Sequence, residues 1–160
     1  MTEQLSNIII WVENKPGVLF RILSLFRRKM FNIESVTAGH SEVVGITRIT
    51  ITVSGDKDQV RNMCKQVYKL INVIRVEDVP AESLVIRELA LMKVGIDGAS
   101  EKNEILRLLE HFRARVINMT KYSLVIEVTG GEEKIDAFYE NMKQYKILEF
   151  VRTGRTALFK

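Results

Sequence analysis

The chain has 160 residues, of which 46% are hydrophobic and 28% are charged, and its formal net charge is +4. This composition excludes a disordered chain, and neither half is basic enough to indicate a nucleic-acid-binding surface. The single cysteine, Cys64, excludes an internal disulfide. No segment approaches the roughly 18 consecutive apolar residues of a membrane span, and the N-terminus lacks a signal pattern, so we expect a soluble, cytoplasmic protein.

The first half of the chain predicts the order strand, helix, strand, strand, helix, strand. An apolar run predicts the first strand, and apolar side chains three and four residues apart predict the first helix. Ser54-Gly55-Asp56 provides a turn and the start of the second helix. The predicted strands span 6–13, 32–39, 44–53 and 73–78, and the predicted helices span 17–30 and 57–71.

The second half of the chain repeats this order. The segments 51–60 and 126–135 share one pattern, in which a strand ends, small residues turn and charged residues enter a helix. Because there are only two copies, 75 residues apart, the pattern indicates a duplicated domain and not a solenoid. The predicted strands span 84–94, 115–119, 122–128 and 147–151, and the predicted helices span 100–113 and 132–144.

Each copy has the split βαβ pattern of a ferredoxin-like unit. We therefore predict an α+β protein with two tandem ferredoxin-like (βαββαβ) domains, each with an antiparallel sheet and two helices on one face. The break near Pro80 divides the chain into domains 1–79 and 80–160. At about 75 residues a single core is marginal, so we expect packing between the units or between chains.

No motif in the sequence indicates catalysis. His40 falls in a predicted loop and His111 within a helix, and no Cys/His spacing fits a metal site. P-loop and nucleophile-elbow motifs are absent. Cys64 is predicted to be a buried, inert thiol, since it shares an apolar helix face with Val60, Met63, Val67 and Ile71. We expect no catalytic residue, no metal and no cofactor bound by this chain.

The turn from Asn14 to Leu19 is the strongest functional signal. It links the first strand to the first helix, so free backbone N–H groups and a positive helix end converge on one spot that suits a carboxylate. Pro16 presets the turn and Gly17 lets a ligand approach the backbone. A purely structural turn is the alternative, and Pro-Gly chemistry alone would favour it.

Two asparagines shift the balance towards a ligand site. Asn14 offers an amide at the end of the first strand, and Asn32 opens the second strand, which this topology places at a sheet edge. An exposed edge invites pairing with another chain. If two copies pair there, Asn32 of one chain could face the Gly17 turn of the other, and a ligand would join two subunits.

Several segments together resemble the regulatory (small) subunit of acetolactate synthase, also called acetohydroxyacid synthase. The resemblance covers nearly the whole chain, and its first motif is specific in combination. It is carried by Glu13–Leu19, Arg21-Ile22, Leu25-Phe26, Arg28, Asn32–Ser35, Lys69–Val76, Arg87–Leu89 and Val151–Gly154.

The resemblance implies that 1–79 is an ACT domain, which dimerises and binds a branched-chain amino acid, usually valine. It implies that this chain is non-catalytic and that its partner is the large catalytic subunit, which carries thiamine diphosphate, magnesium and FAD. This chain would activate that subunit and confer feedback inhibition by valine, isoleucine or leucine. The residues that match the family's ligand positions are Asn14, Gly17, Val18, Leu19, Asn32 and Ile33.

One departure and two rival functions stay open. Phe20 stands where many relatives have a small residue, so its side chain either narrows the pocket or joins the core. One rival is a stand-alone ACT-type sensor that regulates a different enzyme or a transcription factor. The other is an acylphosphatase-like hydrolase on the same topology, for which no Arg and Asn pair lies at the usual spacing. Fold alone does not decide between them.

Overall fold

The computed structural model describes residues 5–160 as two successive βαββαβ repeats. The first repeat contains β1 (Leu5–Glu13), α1 (Val18–Arg28), β2 (Asn32–His40), β3 (Ile46–Ser54), α2 (Lys57–Tyr68) and β4 (Val73–Val79). The second contains β5 (Leu84–Gly95), α3 (Gly98–Phe112), β6 (Arg115–Met119), β7 (Ser123–Gly130), α4 (Glu132–Met142) and β8 (Ile147–Arg152). A ninth strand, β9 (Thr156–Phe159), follows near the chain end.

The two sheets have the same strand order, which confirms the predicted α+β fold of two ferredoxin-like repeats. The first sheet runs β2-β3-β1-β4 and the second runs β6-β7-β5-β8. The pairings within both sheets are antiparallel. Strand β2 therefore lies at an edge of the first sheet, as the sequence predicted. None of the helices between residues 5 and 160 is long and apolar enough to cross a membrane.

Each repeat has its own hydrophobic core between its sheet and its helices. Alternate residues of a strand point to one face, so the apolar half of each strand is directed at the helices. In the first core, Ile8 and Ile10 of β1 and Ile51 of β3 meet Ile22 and Phe26 of α1. In the second core the corresponding contacts come from Met92, Val94, Leu124, Ile126, Ile105, Leu109, Ile135 and Phe138.

Three predicted helices are longer than the observed ones, and in α1 and α2 the difference misplaces an apolar residue. Helix α1 ends at Arg28, and Met30 has a left-handed φ of 60° and is 90% exposed. Helix α2 ends at Tyr68, and Ile71 is 73% exposed ahead of Asn72, whose φ is 73°. Left-handed residues end helices and turn the chain. Met30 and Ile71, which the sequence assigned to apolar helix faces, therefore lie outside both helices.

The last residues of the chain do not follow the predicted division into 1–79 and 80–160. The first compact unit contains the residues up to Val85 together with Gly154–Lys160, and the second contains Ile86–Thr153. Strand β5 begins in the first unit, and β9 pairs with it. The tail Gly154–Lys160 belongs to the first unit because it covers the face of the first sheet that is turned away from the helices.

This coverage is visible in three contacts within the first unit. Arg155 Nη1 donates to Asn7 Oδ1 of β1 at 3.1 Å, and Thr37 Oγ1 of β2 donates to the Arg155 carbonyl at 2.8 Å. The rings of Trp11 and Phe159 lie parallel, with centroids 6.3 Å apart. Polar side chains that simple alternation would leave in solvent are consequently buried, with Asn7 only 1% exposed.

The two helix starts at Asp56 and Asp97 provide a matched test of capping. Asp56 accepts the Asp58 N–H at 3.1 Å, whereas Asp97 makes no capping bond with its side chain. We expect Asp56→Ala to lower the free energy of unfolding by about 1 kcal/mol and Asp97→Ala to change it by less than about 0.5 kcal/mol. Urea denaturation followed by circular dichroism measures both values. Equal losses in the two variants would contradict the assigned cap.

Candidate functional site

The turn between β1 and α1 is built around Gly17. Its φ of 80° and ψ of −6° lie in the left-handed region, where a residue with a Cβ is strained. A Cβ added at Gly17 would meet no atom within 4 Å, so the backbone conformation and not crowding requires glycine. The Asn14 N–H donates to the Gly45 carbonyl at 2.8 Å, which ties this turn to the hairpin between β2 and β3.

The first turn of α1 leaves main-chain donors free. Its first bond runs from the Arg21 N–H to the Gly17 carbonyl at 3.1 Å. The N–H groups of Gly17 and Leu19 donate to no described residue, and no side chain caps this helix end. The Val18 N–H, also predicted as a ligand donor, points to the Lys15 carbonyl at 3.4 Å. Free donors at the positive end of a helix suit a carboxylate.

The charges beside the turn are paired with one another. Glu13 Oε2 accepts from Lys15 Nζ at 2.5 Å and from Asn72 Nδ2 at 2.8 Å. These hydrogen bonds, first from Lys15 and then from Asn72, lower the pKa of the Glu13 carboxyl. Arg21 Nη2 donates to Asn72 Oδ1 at 2.9 Å. The only carboxylate in this group is thus held by local partners, which lessens its repulsion of an incoming anion.

The side chains that follow Gly17 have different roles. Val18 is 2% exposed and packs in the first core, so its side chain is not available for an outside contact. Leu19 is 38% exposed and remains available for an apolar contact. Phe20 is 74% exposed, and it therefore does not join the core. Of the two alternatives for Phe20, the structure excludes the core, and a narrowed pocket stays a prediction.

Asn32 begins β2 with its amide already oriented. Asn32 Nδ2 donates to Glu34 Oε1 at 2.5 Å, and the same oxygen accepts from Ser54 Oγ at 3.2 Å. The carbonyl oxygen of the Asn32 amide remains as an acceptor. Ile33 is half-buried and packs against the first core. The sequence reasoning did not select Glu34, which holds the Asn32 amide. Its spacing of two from Asn32, typical of one strand face, was the available signal.

Asn32 and the Gly17 turn lie at opposite ends of the first sheet. Asn32 pairs with Ser54, which pairs with Leu5 at the start of β1. The Gly17 turn follows Glu13 at the other end of this nine-residue strand. At about 3.4 Å per residue the two ends are about 27 Å apart. One copy of the chain therefore does not bring the predicted site residues together.

The Asn32 end of the sheet also contains a concave space. A cavity of about 390 Å³ lies beside Phe31, which precedes Asn32, and Ser54, which pairs with it. Its volume is sufficient for a small metabolite. The cavity is lined by Lys29, Met30, Phe31, Ser54, Gln59, Asn62, Met63 and Gln66.

Cys64, His40 and His111 are the residues whose chemistry was considered for catalysis or metal binding. Burial raises the pKa of the Cys64 thiol to about 11, so it stays protonated and a poor nucleophile at neutral pH. His40 ends β2 and does not lie in a loop as predicted, whereas His111 lies on α3 as predicted. Within residues 5–160, no group of three or more His, Cys, Asp or Glu side chains is placed to hold a metal ion.

Gly17→Ala tests the strained turn directly. Because no atom obstructs the added methyl group, the expected loss in free energy of unfolding is the backbone cost alone, about 1–2 kcal/mol. Gly39→Ala is the matched control, since Gly39 also has open space around it but no positive φ. Chemical denaturation measures both. A Gly17→Ala variant as stable as the Gly39→Ala variant would contradict the assigned turn.

Two family models match this chain. One describes an AHAS small subunit-like ACT domain and matches residues 8–75. The other describes the small subunit of acetolactate synthase and matches residues 87–160. The first match contains the Gly17 turn and all of β2, and the second contains most of the second repeat and the tail.

Curated relatives and a solved structure agree with these models. The chain is 46% identical over 147 residues to a probable acetolactate synthase small subunit of Methanothermobacter thermautotrophicus, covering 92% of this chain and 88% of that protein. It is 45% identical to the small subunit of Bacillus subtilis over 152 residues, covering 94% of this chain and 87% of that protein. The crystal structure of the acetolactate synthase small subunit from Thermotoga maritima matches with a TM-score of 0.92 and 38% identity, covering 98% of both chains.

These matches span both repeats at an identity well above the level at which only a fold is shared. The chain therefore belongs to the acetolactate synthase small-subunit family.

Proposed function

We propose that this regulatory subunit of acetolactate synthase binds a branched-chain amino acid between two copies of its first domain. Binding there makes the large catalytic subunit subject to feedback inhibition by valine, isoleucine or leucine, and the subunit without effector raises the activity of the large subunit. The observation that carries the proposal is the Gly17 turn, with its free main-chain donors at the start of α1.

In a dimer, Asn32 of one copy can lie close to the Gly17 turn of the other copy. Strand β2 is an edge strand, so its outer row of main-chain N–H and C=O groups is open to another strand. A two-fold axis beside β2 and perpendicular to it makes the two β2 strands antiparallel. The start of one strand then lies beside the end of the other. The end of β2, at His40, pairs with Thr47 next to the Gly17 turn, so this symmetry brings Asn32 of the second copy towards that turn.

The groups in this arrangement match the three parts of an amino acid. The carboxylate accepts from the free N–H groups of Gly17 and Leu19. The ammonium group donates to the Asn32 carbonyl oxygen, with the Glu34 carboxylate close by. The aliphatic side chain contacts Leu19 and the half-buried Ile33. Asn14, whose side chain is exposed beside the turn, supplies a further polar contact.

The chain itself acts without catalysis in this proposal. Its reactive partner is the large subunit, which in this family carries thiamine diphosphate, magnesium and FAD. Inhibition requires that the effector bind one state of the complex more tightly than the other, because equal affinity for both shifts nothing. A ligand held between two copies meets that requirement when the two states differ in how the copies are spaced.

Calorimetric titration of the full chain with valine tests the site. We expect Gly17→Asp to weaken binding by more than about tenfold, because it adds a carboxylate where another must sit. We expect Asn32→Ala to weaken binding by about tenfold, since a charge-assisted hydrogen bond is lost. Asn118→Ala, at an exposed position on the edge strand β6 of the second repeat, is the matched control. Unchanged affinity in both site variants would refute the assignment.

Reconstitution with a large subunit tests the regulatory role separately. Adding the wild-type chain should raise the rate of acetolactate formation and make that rate sensitive to valine. The Gly17→Asp chain should still activate but should leave the rate insensitive to valine, because the substitution removes effector binding at the proposed site and leaves the rest of the chain unchanged. Failure of the wild-type chain to bind or activate any large subunit would favour a stand-alone sensor.

A further inference from the structure

The tail Gly154–Lys160 is held on the outer face of the first sheet mainly by polar contacts. Arg155 bonds with Asn7 and Thr37, and the Lys160 N–H donates to the Ser83 carbonyl at 3.1 Å. Only Ala157 is deeply buried among its apolar side chains, whereas Leu158 is 61% exposed and Phe159 is 37% exposed. The tail's own apolar side chains therefore bury little area and add little hydrophobic stabilisation, while the pairing of β9 with β5 adds backbone hydrogen bonds to the polar contacts.

The buried polar atoms without a hydrogen-bond partner are concentrated beneath this tail. Within residues 5–160 they are Asn7 Nδ2, Arg48 Nε and Arg48 Nη2. Asn7 is 1% exposed, and the Arg48 guanidinium lies 5.7 Å from the centre of the Phe159 ring. A buried donor without an acceptor costs free energy that hydration would restore. The seated tail therefore costs free energy, which is recovered when the tail lifts and water reaches these donors.

Arg48 is also a cation without a carboxylate partner. Arg75, its neighbour on the far side of Trp11, forms an ion pair with Glu77. Arg48 stacks on Trp11 at 5.2 Å and forms no ion pair with a described residue. Its two unsatisfied donors, Nε–H and Nη2–H, form one edge of the guanidinium fork. That edge matches the two oxygens of a carboxylate.

A cavity separates part of the tail from β2 and β3. Its volume is about 430 Å³. Among the described residues that line it, Arg48 is the one arginine or lysine. Part of its wall comes from the sheet, namely Thr37, Ala38, Gly39, the imidazole of His40 and Thr50, and part comes from the tail itself, namely Thr156, Ala157 and Leu158. The sheet part stays in place when the tail lifts. Its threonine methyl groups and Ala38, in the same lining as Arg48, suit a small acid with an aliphatic end.

We propose that residues 154–160 form a releasable strap over a binding site for a small aliphatic carboxylate, centred on Arg48. With the strap seated, the Nε and Nη2 edge of Arg48 is shielded and unsatisfied. When the strap lifts, the edge becomes accessible, and its two N–H groups donate to the two oxygens of the carboxylate. The ligand binds the open form and so shifts the strap towards it. The proposal does not depend on the effector site proposed at the Gly17 turn.

Hydrogen exchange of the full chain, followed by mass spectrometry, tests the release of the strap. Gly154 has a φ of 79°, and a Cβ there would lie 2.5 Å from the Ser35 Cβ. Gly154→Ala therefore unseats the strap, and we expect exchange in peptide 154–160 to become about tenfold faster. Gly131→Ala, with open space around its added methyl group, is the matched control and should leave this peptide unchanged.

Arg48→Met tests whether the unsatisfied donors favour opening. Methionine keeps an unbranched side chain beside Trp11 but removes both orphaned N–H groups. Relief of those donors outweighs the lost cation–π contacts, so exchange in peptide 154–160 should slow by about threefold or more. Acrylamide quenching of Trp11, the only tryptophan, gives an independent measure and should fall in this variant. Faster exchange in Arg48→Met would overturn the role of Arg48.

Isobutyrate and its neutral analogue isobutyramide test the ligand. At equal ionic strength, isobutyrate should speed exchange of peptide 154–160 by about twofold or more in the wild type and not in Arg48→Met. Isobutyramide should have no effect. An equal effect of both compounds, or an isobutyrate effect that persists in Arg48→Met, would overturn the carboxylate site. Wild-type exchange of this peptide as slow as that of β3, with no response to isobutyrate, would overturn the strap.

Discussion

The length of β1 is the constraint on which the candidate effector site depends. Nine residues separate the Leu5 end of the first sheet, where Asn32 begins β2, from the end that continues into the Gly17 turn. A ligand the size of an amino acid does not span that distance. The main-chain donors at one end and the amide at the other therefore serve one ligand only if a second copy supplies one of them. The unpaired edge of β2 is the feature that admits a second copy.

The tail changes the environment of the face opposite the helices. A ferredoxin-like unit covers one face of its sheet with helices and leaves the other to solvent or to a partner. Here the tail makes β3 a strand buried on both faces, with Ile51 inaccessible on the helix side and Thr52 1% exposed on the other. Threonine hydroxyls and the Asn7 amide are poorly suited to a dry interior. The face beneath the tail thus retains the polar composition of a surface that opens to water.

The parts of the fold that depend on local pattern were predictable from the sequence. The apolar run of β1, the alternation along β3 and the helical spacing from Val18 to Phe26 predicted the order of strands and helices, because periodicity reports which face is buried. Pro16 and Gly17 predicted the first turn because proline fixes φ and glycine tolerates positive φ. The predicted helix ends were wrong at Met30 and Ile71. Each is an apolar residue beyond the last helical turn, and hydrophobic periodicity does not reveal where the backbone becomes left-handed.

Long-range features were not predictable in the same way. Strand β9 has only four residues, too few to show a period. The contacts of Arg155, which precedes β9, with Asn7 and Ser35 bridge 148 and 120 positions of sequence. The second-strand residues Asn32 and Ile33 were predicted as ligand contacts through resemblance. Glu34 was missed because its role depends on the orientation of the Asn32 amide. Spacing indicates that two side chains share a strand face, whereas the hydrogen bond between them is fixed by side-chain geometry.

Strand β2 takes part in both proposed binding events, and this has a thermodynamic consequence. Its main-chain edge is the proposed contact between copies, and its side chains Ser35 and Thr37 bond with Arg155 of the tail. If pairing of two copies changes the twist of β2, it also changes the fit of the strap on the same strand. Coupling of this kind is reciprocal. An effector bound between copies then changes the affinity of the Arg48 site for a carboxylate by some factor. The carboxylate changes the affinity of the protein for the effector by the same factor.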